Sequence, residues 1–238
     1  MEILVIIPAR GGSKGITHKN IRPFNGLPCI AYTIKAAQKV PYINRIVVST
    51  ESEEVKRIAE RYGAEVPFLR PESLAKDNSE FIDAAIHLLK KLEKDEGYRP
   101  DYVMTLQITS PLRTAADIKQ AIKLYFKRRV DSLVSVCRTE NLLLTKDRTD
   151  KLKILNPEFL SSQNRQQLPA VYKLDGCMIS LTKTELMLKK RSDMAGKLIG
   201  YEVERWRAVD LDEPQDFVVG ELIYKNYSRL KRKIKKFK

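Results

Sequence analysis

The residues best suited to chemistry crowd into one stretch near the N-terminus: Arg10, Gly11, Gly12, Ser13, Lys14, Gly15, Lys19 and Asn20. Glycines let a backbone come close to a ligand and turn its N–H groups inward. Fixed cations add charge-assisted hydrogen bonds to phosphate oxygens. The pattern reads as a polyphosphate loop or, on composition alone, as a surface turn with solvated lysines. Spacing excludes two familiar loops. A Walker loop needs Gly-Lys followed by Ser or Thr, whereas Lys14 precedes Gly15 and no hydroxyl follows it. A dinucleotide loop needs Gly-x-Gly-x-x-Gly, which Gly11, Gly12 and Gly15 do not match. A second group stands near the other end. Asp210 and Asp212 are two residues apart, so on an extended strand both carboxylates project to one side. Paired hard oxygens suit Mg²⁺, which keeps waters and shares itself with substrate phosphates. Asp212 reads equally well as a helix N-cap, because Glu213-Pro214 follows it and Gln215 lies three residues on.

The elements that must position these groups are visible in the periodicity. The apolar run Ile3–Ile7 stops at Pro8 and reads as a buried central strand feeding the glycine loop. Pro28 opens a helix with Ile30, Ile34 and Ala37 on one face. Residues 45–49 form a second strand, and Thr50 with Glu53 reads as a capping box for a helix that Gly63 ends. Residues 66–69 look like a short strand leading to Arg70. A helix over 79–94, a strand over 102–107, a helix capped by Thr114 and Asp117, and a strand over 132–136 follow. Strands alternating with helices predict an α/β fold with a mostly parallel sheet. Ligands in such sheets bind beyond the carboxyl ends of the strands, so the loops at 8–20, 70–79 and 107–113 should gather at one edge. That favours the ligand reading of Arg10 over the surface turn.

Residues 138–170 break the alternation. They are polar and weakly periodic, and a long irregular excursion is usually functional or an interaction arm. The chain returns with a strand over 171–181, a short helix near 183–190, a strand at 201–203 and a C-terminal helix after 207–217. The expected organisation is one α/β body, 1–137 with 171–228, an arm at 138–170 and a basic tail at 229–238.

Length and composition agree. A chain of 238 residues, 43% hydrophobic, suits one large α/β domain with a small appendage. No apolar run approaches the roughly 18–20 residues of a spanning helix, and the start lacks a basic leader, so a soluble cytoplasmic protein with no membrane span is expected. Cys29, Cys137 and Cys177 lack Cys-x-x-Cys spacing and read as reduced core residues. His18 and His87 are too few for a histidine metal centre. The formal charge of +14 invites a nucleic-acid reading, but seven Lys/Arg and no acid fall in the last ten residues. Such a run is most often a solvated or disordered tail, so no specific nucleic-acid partner is expected.

Five further segments follow the opening Ile7-Pro8-Ala9-Arg10-Gly11-Gly12-Ser13-Lys14-Gly15 in order. They are Leu69-Arg70-Pro71 with Asp77, Gln107-Ile108-Thr109-Ser110-Pro111-Leu112-Arg113, Arg165-Gln166-Gln167-Leu168-Pro169, Asp175-Gly176 and Asp210-Leu211-Asp212. Each alone is weak. The ordered set, spanning nearly the whole chain, resembles the acylneuraminate cytidylyltransferases, the CMP-sugar synthetases of nonulosonic acids. The resemblance implies a Rossmann-like nucleotidyltransferase sheet flanked by helices, and a homodimer built through a protruding dimerisation arm at 138–170. It implies that CTP and a nine-carbon 2-keto-3-deoxy sugar acid give the CMP-sugar and pyrophosphate, with Mg²⁺ as cofactor. Carried over position by position, Arg10, Gly11, Ser13, Lys14 and Lys19 would hold the triphosphate, and Asn20, Arg70, Asp77 and Ser79 would complete the nucleotide site. Gln107, Arg165 and Gln166 would contact the sugar acid, with Asp175 beside it. Arg10, Lys19, Asp210 and Asp212 would be catalytic, the two aspartates holding Mg²⁺.

The chain departs from the family pattern at three places. Ile108 replaces a proline, Asp175 replaces an asparagine, and 138–144 lacks the His/Pro character of sialic acid enzymes. Legionaminic, pseudaminic and N-acetylneuraminic acids therefore all stay open. The related synthetase for the eight-carbon 3-deoxy-manno-octulosonate typically reads Ser-x-Arg-Leu-Pro-Gly-Lys in its loop. Ser13-Lys14-Gly15-Ile16-Thr17-His18-Lys19-Asn20 argues for the nonulosonate branch.

Overall fold

Strand β1 (Ile3–Pro8) is apolar at consecutive positions because helices cover both of its faces. Ile3, Val5 and Ile7 enter one core and Leu4 and Ile6 the other, all of them fully buried. Each such burial contributes about 1.5–3 kcal/mol against the entropy of ordering the strand. The computed structural model describes residues 1–12, 16–139, 143–157, 169–174 and 179–237. In it β1 lies between β4 (Arg45–Ser49) and β5 (Tyr102–Thr105) and is parallel to both.

The seven-stranded sheet continues from β5 through β10 (Ser180–Lys183) and β6 (Ser132–Arg138) to β11 (Leu198–Val203), and β9 (Tyr172–Leu174) also pairs with β6. β10 is antiparallel to both β5 and β6, and β11 is parallel to β6, so β4, β1, β5, β6 and β11 share one direction. The mostly parallel α/β sheet expected from the sequence is therefore present, with β10 reversed in its middle. Two ribbons stand apart from it: β2 (Pro23–Phe24) with β3 (Leu27–Pro28), and β7 (Leu144–Lys146) with β8 (Leu152–Ile154).

Helices α1 (Cys29–Gln38), α2 (Glu53–Arg61), α4 (Ala115–Arg128) and α6 (Pro214–Lys235) pack on the face of Ile3, Val5 and Ile7. Helices α3 (Phe81–Glu96) and α5 (Thr184–Lys190) cover the opposite face through Ile86, Leu89 and Met187. Thr114 and Asp117 form the expected reciprocal capping box of α4. From β1 the chain goes first to β4 on one side and later to β5 on the other. That reversal is the switch point where α/β sheets open a crevice beyond their strand ends.

Four expectations need correction. Helix α2 is capped by Ser52, whose hydroxyl accepts from the Val55 N–H, while the Thr50 hydroxyl accepts from the Ser52 N–H. Residues 66–69 form no strand. Pro67 has no N–H to donate, and pairing there is limited to an isolated bridge between Glu65 and Val47. The single strand expected over 171–181 is two strands, β9 and β10, both antiparallel to β6 but out of one continuous register, Val136 facing Leu174 and Val134 facing Ser180, and β10 also pairs with β5. The basic run is solvated but helical, forming the last turns of α6 through Lys235. Among the described residues, no helix is long and apolar enough to cross a membrane.

Candidate functional site

At the β1/β5 switch point lies a cleft of about 330 Å³. Three segments build it: the loop leaving β1, the exit of β5, and residues 70–84. Arg10, Lys19, Asn20, Arg70, Asp77, Ser79 and Gln107 all line it, so seven residues singled out from the sequence meet in one place. Larger grooves exist, including one of about 940 Å³ around Tyr98 and Lys183 at the opposite ends of the strands, but none of these seven lines it. Ser13, Lys14, Arg165, Gln166 and Asp175 lie outside the described residues, as does Cys177. Cys29 and Cys137 are buried, and burial pushes the Cys29 pKa up to about 12.

The cleft's cations are held by carboxylates. Arg10 Nη1 donates to Asp77 Oδ1 at 2.8 Å, and Lys19 Nζ donates to Asp212 Oδ1 at 2.6 Å. Both acids are solvent-accessible, with side-chain exposures of 47% for Asp77 and 64% for Asp212. Bridges of that exposure contribute about 0–1 kcal/mol, so an incoming phosphate can take the cations over. The third pair differs. Arg70 donates through Nε and Nη2 to Glu51 Oε2 at 3.1 and 2.9 Å, and the two side chains are only 7% and 16% exposed.

Asn20 and Ser79 have their polar groups turned to the framework. The Asn20 amide donates to the Arg10 carbonyl at 2.8 Å and fixes the base of the glycine loop. The Ser79 hydroxyl donates to the Ser73 carbonyl at 2.9 Å and closes the turn that presents Asp77. Gln107 is the reverse case. Its carbonyl accepts from Arg113 Nη1 at 3.0 Å, and among the described residues its side-chain amide makes no hydrogen bond while lining the cleft. Arg113 also donates to the Thr33 hydroxyl at 2.6 Å, tying the β5 exit to α1. Burial lowers the Arg113 pKa to about 9, with Asp117 opposing the shift, so the guanidinium stays charged near neutrality.

Asp210 and Asp212 are not on a strand: the Asp212 N–H donates to the Asp210 carbonyl at 3.1 Å in a tight turn, with Asp210 Oδ1 buried and the Asp212 side chain exposed. Leu211 between them is fully buried, and its N–H donates to the Thr109 carbonyl at 2.9 Å. Gly220 of α6 permits this, since a Cβ there would meet Phe24 at 3.0 Å and Leu211 at 3.3 Å. The pair is thus pinned beside the cleft by its middle residue. Asp212 is not the α6 N-cap. Glu213 is, in a capping box with Asp216, which also accepts from the Asp212 N–H.

Glu51 escaped the sequence reading, which spent the 50–53 segment on a capping box. Its other oxygen, Oε1, accepts the Gly11 N–H at 2.7 Å. The available signal was positional: Glu51 follows β4 at the same sheet edge as the other loops. Gly11 is needed there for close approach, because a Cβ would lie 2.8 Å from Ser52 Cβ. Were the cleft to take the CTP that the resemblance implies, Gly11→Ala would weaken its binding about tenfold or more by forcing the loop away from Ser52, as read by calorimetric titration with CTP. An unchanged affinity would mean that the loop does not depend on this contact.

The arrangement gathers cations and the Gln107 side chain at one strand-end cleft, with the Asp212 carboxylate joined to it through Lys19. A family model described as Cytidylyltransferase matches residues 4–178. The post-translational flagellin modification protein B of Campylobacter coli is 33% identical over 94% of this chain and 95% of its own length. The CMP-N,N'-diacetyllegionaminic acid synthase of Legionella pneumophila is 34% identical over 93% and 95%. A solved CMP:2-keto-3-deoxy-manno-octonic acid synthetase complexed with CTP superimposes with a TM-score of 0.72 over 95% of this chain and 100% of that one, at 13% identity, a likeness that shows the fold alone. With a family model over most of its length and relatives matched almost end to end, the chain belongs to the cytidylyltransferase family and is a nucleotidyltransferase.

Proposed function

We propose that the protein activates a nonulosonic acid with CTP, giving the CMP-sugar and pyrophosphate, with an acid of the legionaminic type as the preferred acceptor. The observation that carries this is the convergence of Arg10, Lys19, Asn20, Arg70 and Gln107 on one cleft, with Asp212 bonded to Lys19 at its edge. The name of the Legionella relative supports the acceptor class. The acceptor's anomeric hydroxyl oxygen forms the new bond to the α-phosphorus of CTP and gives up its proton to solvent, the bond from that phosphorus to the β-phosphate bridge oxygen breaks, and pyrophosphate departs with the electron pair. The protein's share is positioning and charge neutralisation.

In this reading Arg10 and Lys19 release Asp77 and Asp212 to take triphosphate oxygens, joined by Ser13 and Lys14 and by the Gly11 segment. Asn20 keeps the loop base fixed, Arg70 holds the nucleotide, and Gln107 turns its unengaged amide to the sugar acid. Arg165 and Gln166 serve the same substrate from the 138–170 arm, with Asp175 of the following segment beside it. That region, with Leu144, Leu152, Leu155 and Tyr172 exposed around it, would pair two copies into a homodimer. We place the enzyme in the cytoplasm, where CTP is made.

Asp210 and Asp212 suit a divalent cation, which we take to be Mg²⁺. Both offer hard oxygens, and among the described residues no group of three or more His, Cys, Asp or Glu converges, so water and phosphate oxygens would fill the other positions. When bound, the ion would neutralise charge on the phosphates and lower the pKa of the attacking hydroxyl. The direct test is pyrophosphate release from CTP and Mg²⁺ with a panel of legionaminic, pseudaminic and N-acetylneuraminic acids and 3-deoxy-manno-octulosonate. Release with legionaminic acid is expected. Release only with the eight-carbon acid, or with none, overturns the reading.

A further inference from the structure

We infer that Glu51 is a positioning residue for the nucleotide, a permanent internal counter-anion that sets both the glycine loop and Arg70 before CTP arrives. The inference deepens the CTP site proposed above and rests on that reading. Three carboxylates hold cations at this cleft, and their burial separates them. Asp77 and Asp212 are about half or more exposed and exchangeable, whereas Glu51 is 16% exposed beneath an Arg70 side chain that is 7% exposed. Removing one partner of a buried pair leaves the other charge uncompensated, so a phosphate cannot displace Glu51 as it can the exposed acids.

The geometry gives each oxygen of Glu51 a separate task. Oε1 accepts the Gly11 N–H at 2.7 Å and fixes the direction of the peptide that opens the loop. Oε2 takes the Nε and Nη2 edge of Arg70. Among the described residues, Arg70 Nη1 then has no hydrogen-bond partner, and Arg70 lines the cleft, so a donor group is left over for a ligand. The backbone supports the same arrangement. The Arg70 N–H donates to the Thr50 carbonyl at 2.9 Å, and the Ala9 N–H donates to the Ser49 carbonyl at 3.0 Å. The turn after β4 therefore holds the two halves of the nucleotide site, 40 residues away on one side and 19 on the other, through a single side chain. Such fixed placement of charged donors is what a site gains when they must not reorganise on binding.

The test is calorimetric titration of wild type, Glu51→Gln and Glu51→Asp with CTP and Mg²⁺, with thermal midpoints and the KM of the sugar acid measured alongside. Gln keeps an acceptor for Gly11 but turns an amide donor against Arg70, so Kd for CTP is expected to rise about tenfold or more. Asp keeps the charge on a shorter stem, and a partial loss of about threefold is expected. The KM of the sugar acid should stay within about twofold in both. A lowered melting midpoint with unchanged Kd for CTP would show a merely structural role and overturn the inference. If Glu51→Gln fails to fold, Glu51→Asp decides alone, an unchanged Kd overturning it and a weakened one supporting it. CTP binding needs no acceptor, so failure of the sugar-acid panel strikes the proposed substrate and leaves this inference to its own result.

Discussion

Asp210→Ala is expected to lower kcat about 10³-fold, equivalent to roughly 4 kcal/mol of lost transition-state stabilisation. Asp210 and Asp212 flank Leu211, and the substitution leaves that anchor untouched: Leu211 stays buried against Gly220 and bonded to Thr109. Turnover should collapse, and the thermal midpoint measured alongside separates lost chemistry from lost packing of the Asp210 carboxylate, whose Oδ1 is buried. Only one hard oxygen ligand would remain, and it already faces Lys19 at 2.6 Å. Initial rates of pyrophosphate release at saturating CTP and acceptor, over a Mg²⁺ titration, give the result. A kcat within about tenfold of wild type at high Mg²⁺ would return the pair to a structural role.

The largest expected effect on stability lies away from the cleft. Arg207→Met should destabilise the fold by about 3–5 kcal/mol in urea melts, since it breaks a buried ion pair and leaves its partner behind. Arg207 forks onto Asp117 with Nη1 to Oδ2 at 2.8 Å and Nη2 to Oδ1 at 2.6 Å, and the side chains are 7% and 5% exposed. Asp117 also accepts from the Thr114 N–H and hydroxyl and from the Tyr201 hydroxyl, so the network joins α4, β11 and the segment entering Asp210. Burial pushes the Asp117 pKa up, but the Arg207 guanidinium and Thr114 outweigh it and hold it below the ordinary 3.8. The folded value is thus the lower one. The resulting stability is complete above the unfolded carboxylate pKa and is lost as pH falls through the folded one. In Arg207→Met burial acts with less opposition, so acid unfolding should begin at higher pH than in wild type. A loss under about 1 kcal/mol would mean that Asp117 finds another partner.

How much of this was legible in the sequence follows from the range of the forces involved. β1 and the α4 cap were readable because apolar runs and capping boxes are local signals. The Thr50–Glu53 box was misassigned because Thr50 has Glu three residues on while Ser52 has Val55, yet the helix starts after Ser52, whose hydroxyl accepts the Val55 N–H. The strand at 66–69 had the right composition, but Pro67 withholds a ladder donor. The basic run carried no acids to suggest helix-stabilising pairs, yet it continues a helix nucleated upstream at Pro214. Among site residues, Arg10, Lys19, Arg70, Gln107 and Asp212 were named from motifs and meet at or beside one cleft. Glu51 was not, because its meaning lies in partners 40 and 19 residues away.

The reversed strand β10 has a consequence for the order in which the molecule assembles. Its residues, Ser180–Lys183, come late in the chain, yet it lies between β5 and β6. During synthesis the half sheet β4–β1–β5, with the cleft at its switch point, is complete in outline once residue 113 has emerged. The other half has no seam until residue 183 arrives. Until then β5 presents an unpaired edge, and β6 keeps one open until β11 arrives at residues 198–203, the kind of surface that recruits other chains. The stretch matched by the family model ends at residue 178, just short of this closing strand. The stretch that the family model recognises therefore stops short of the strand that joins the two halves of the sheet.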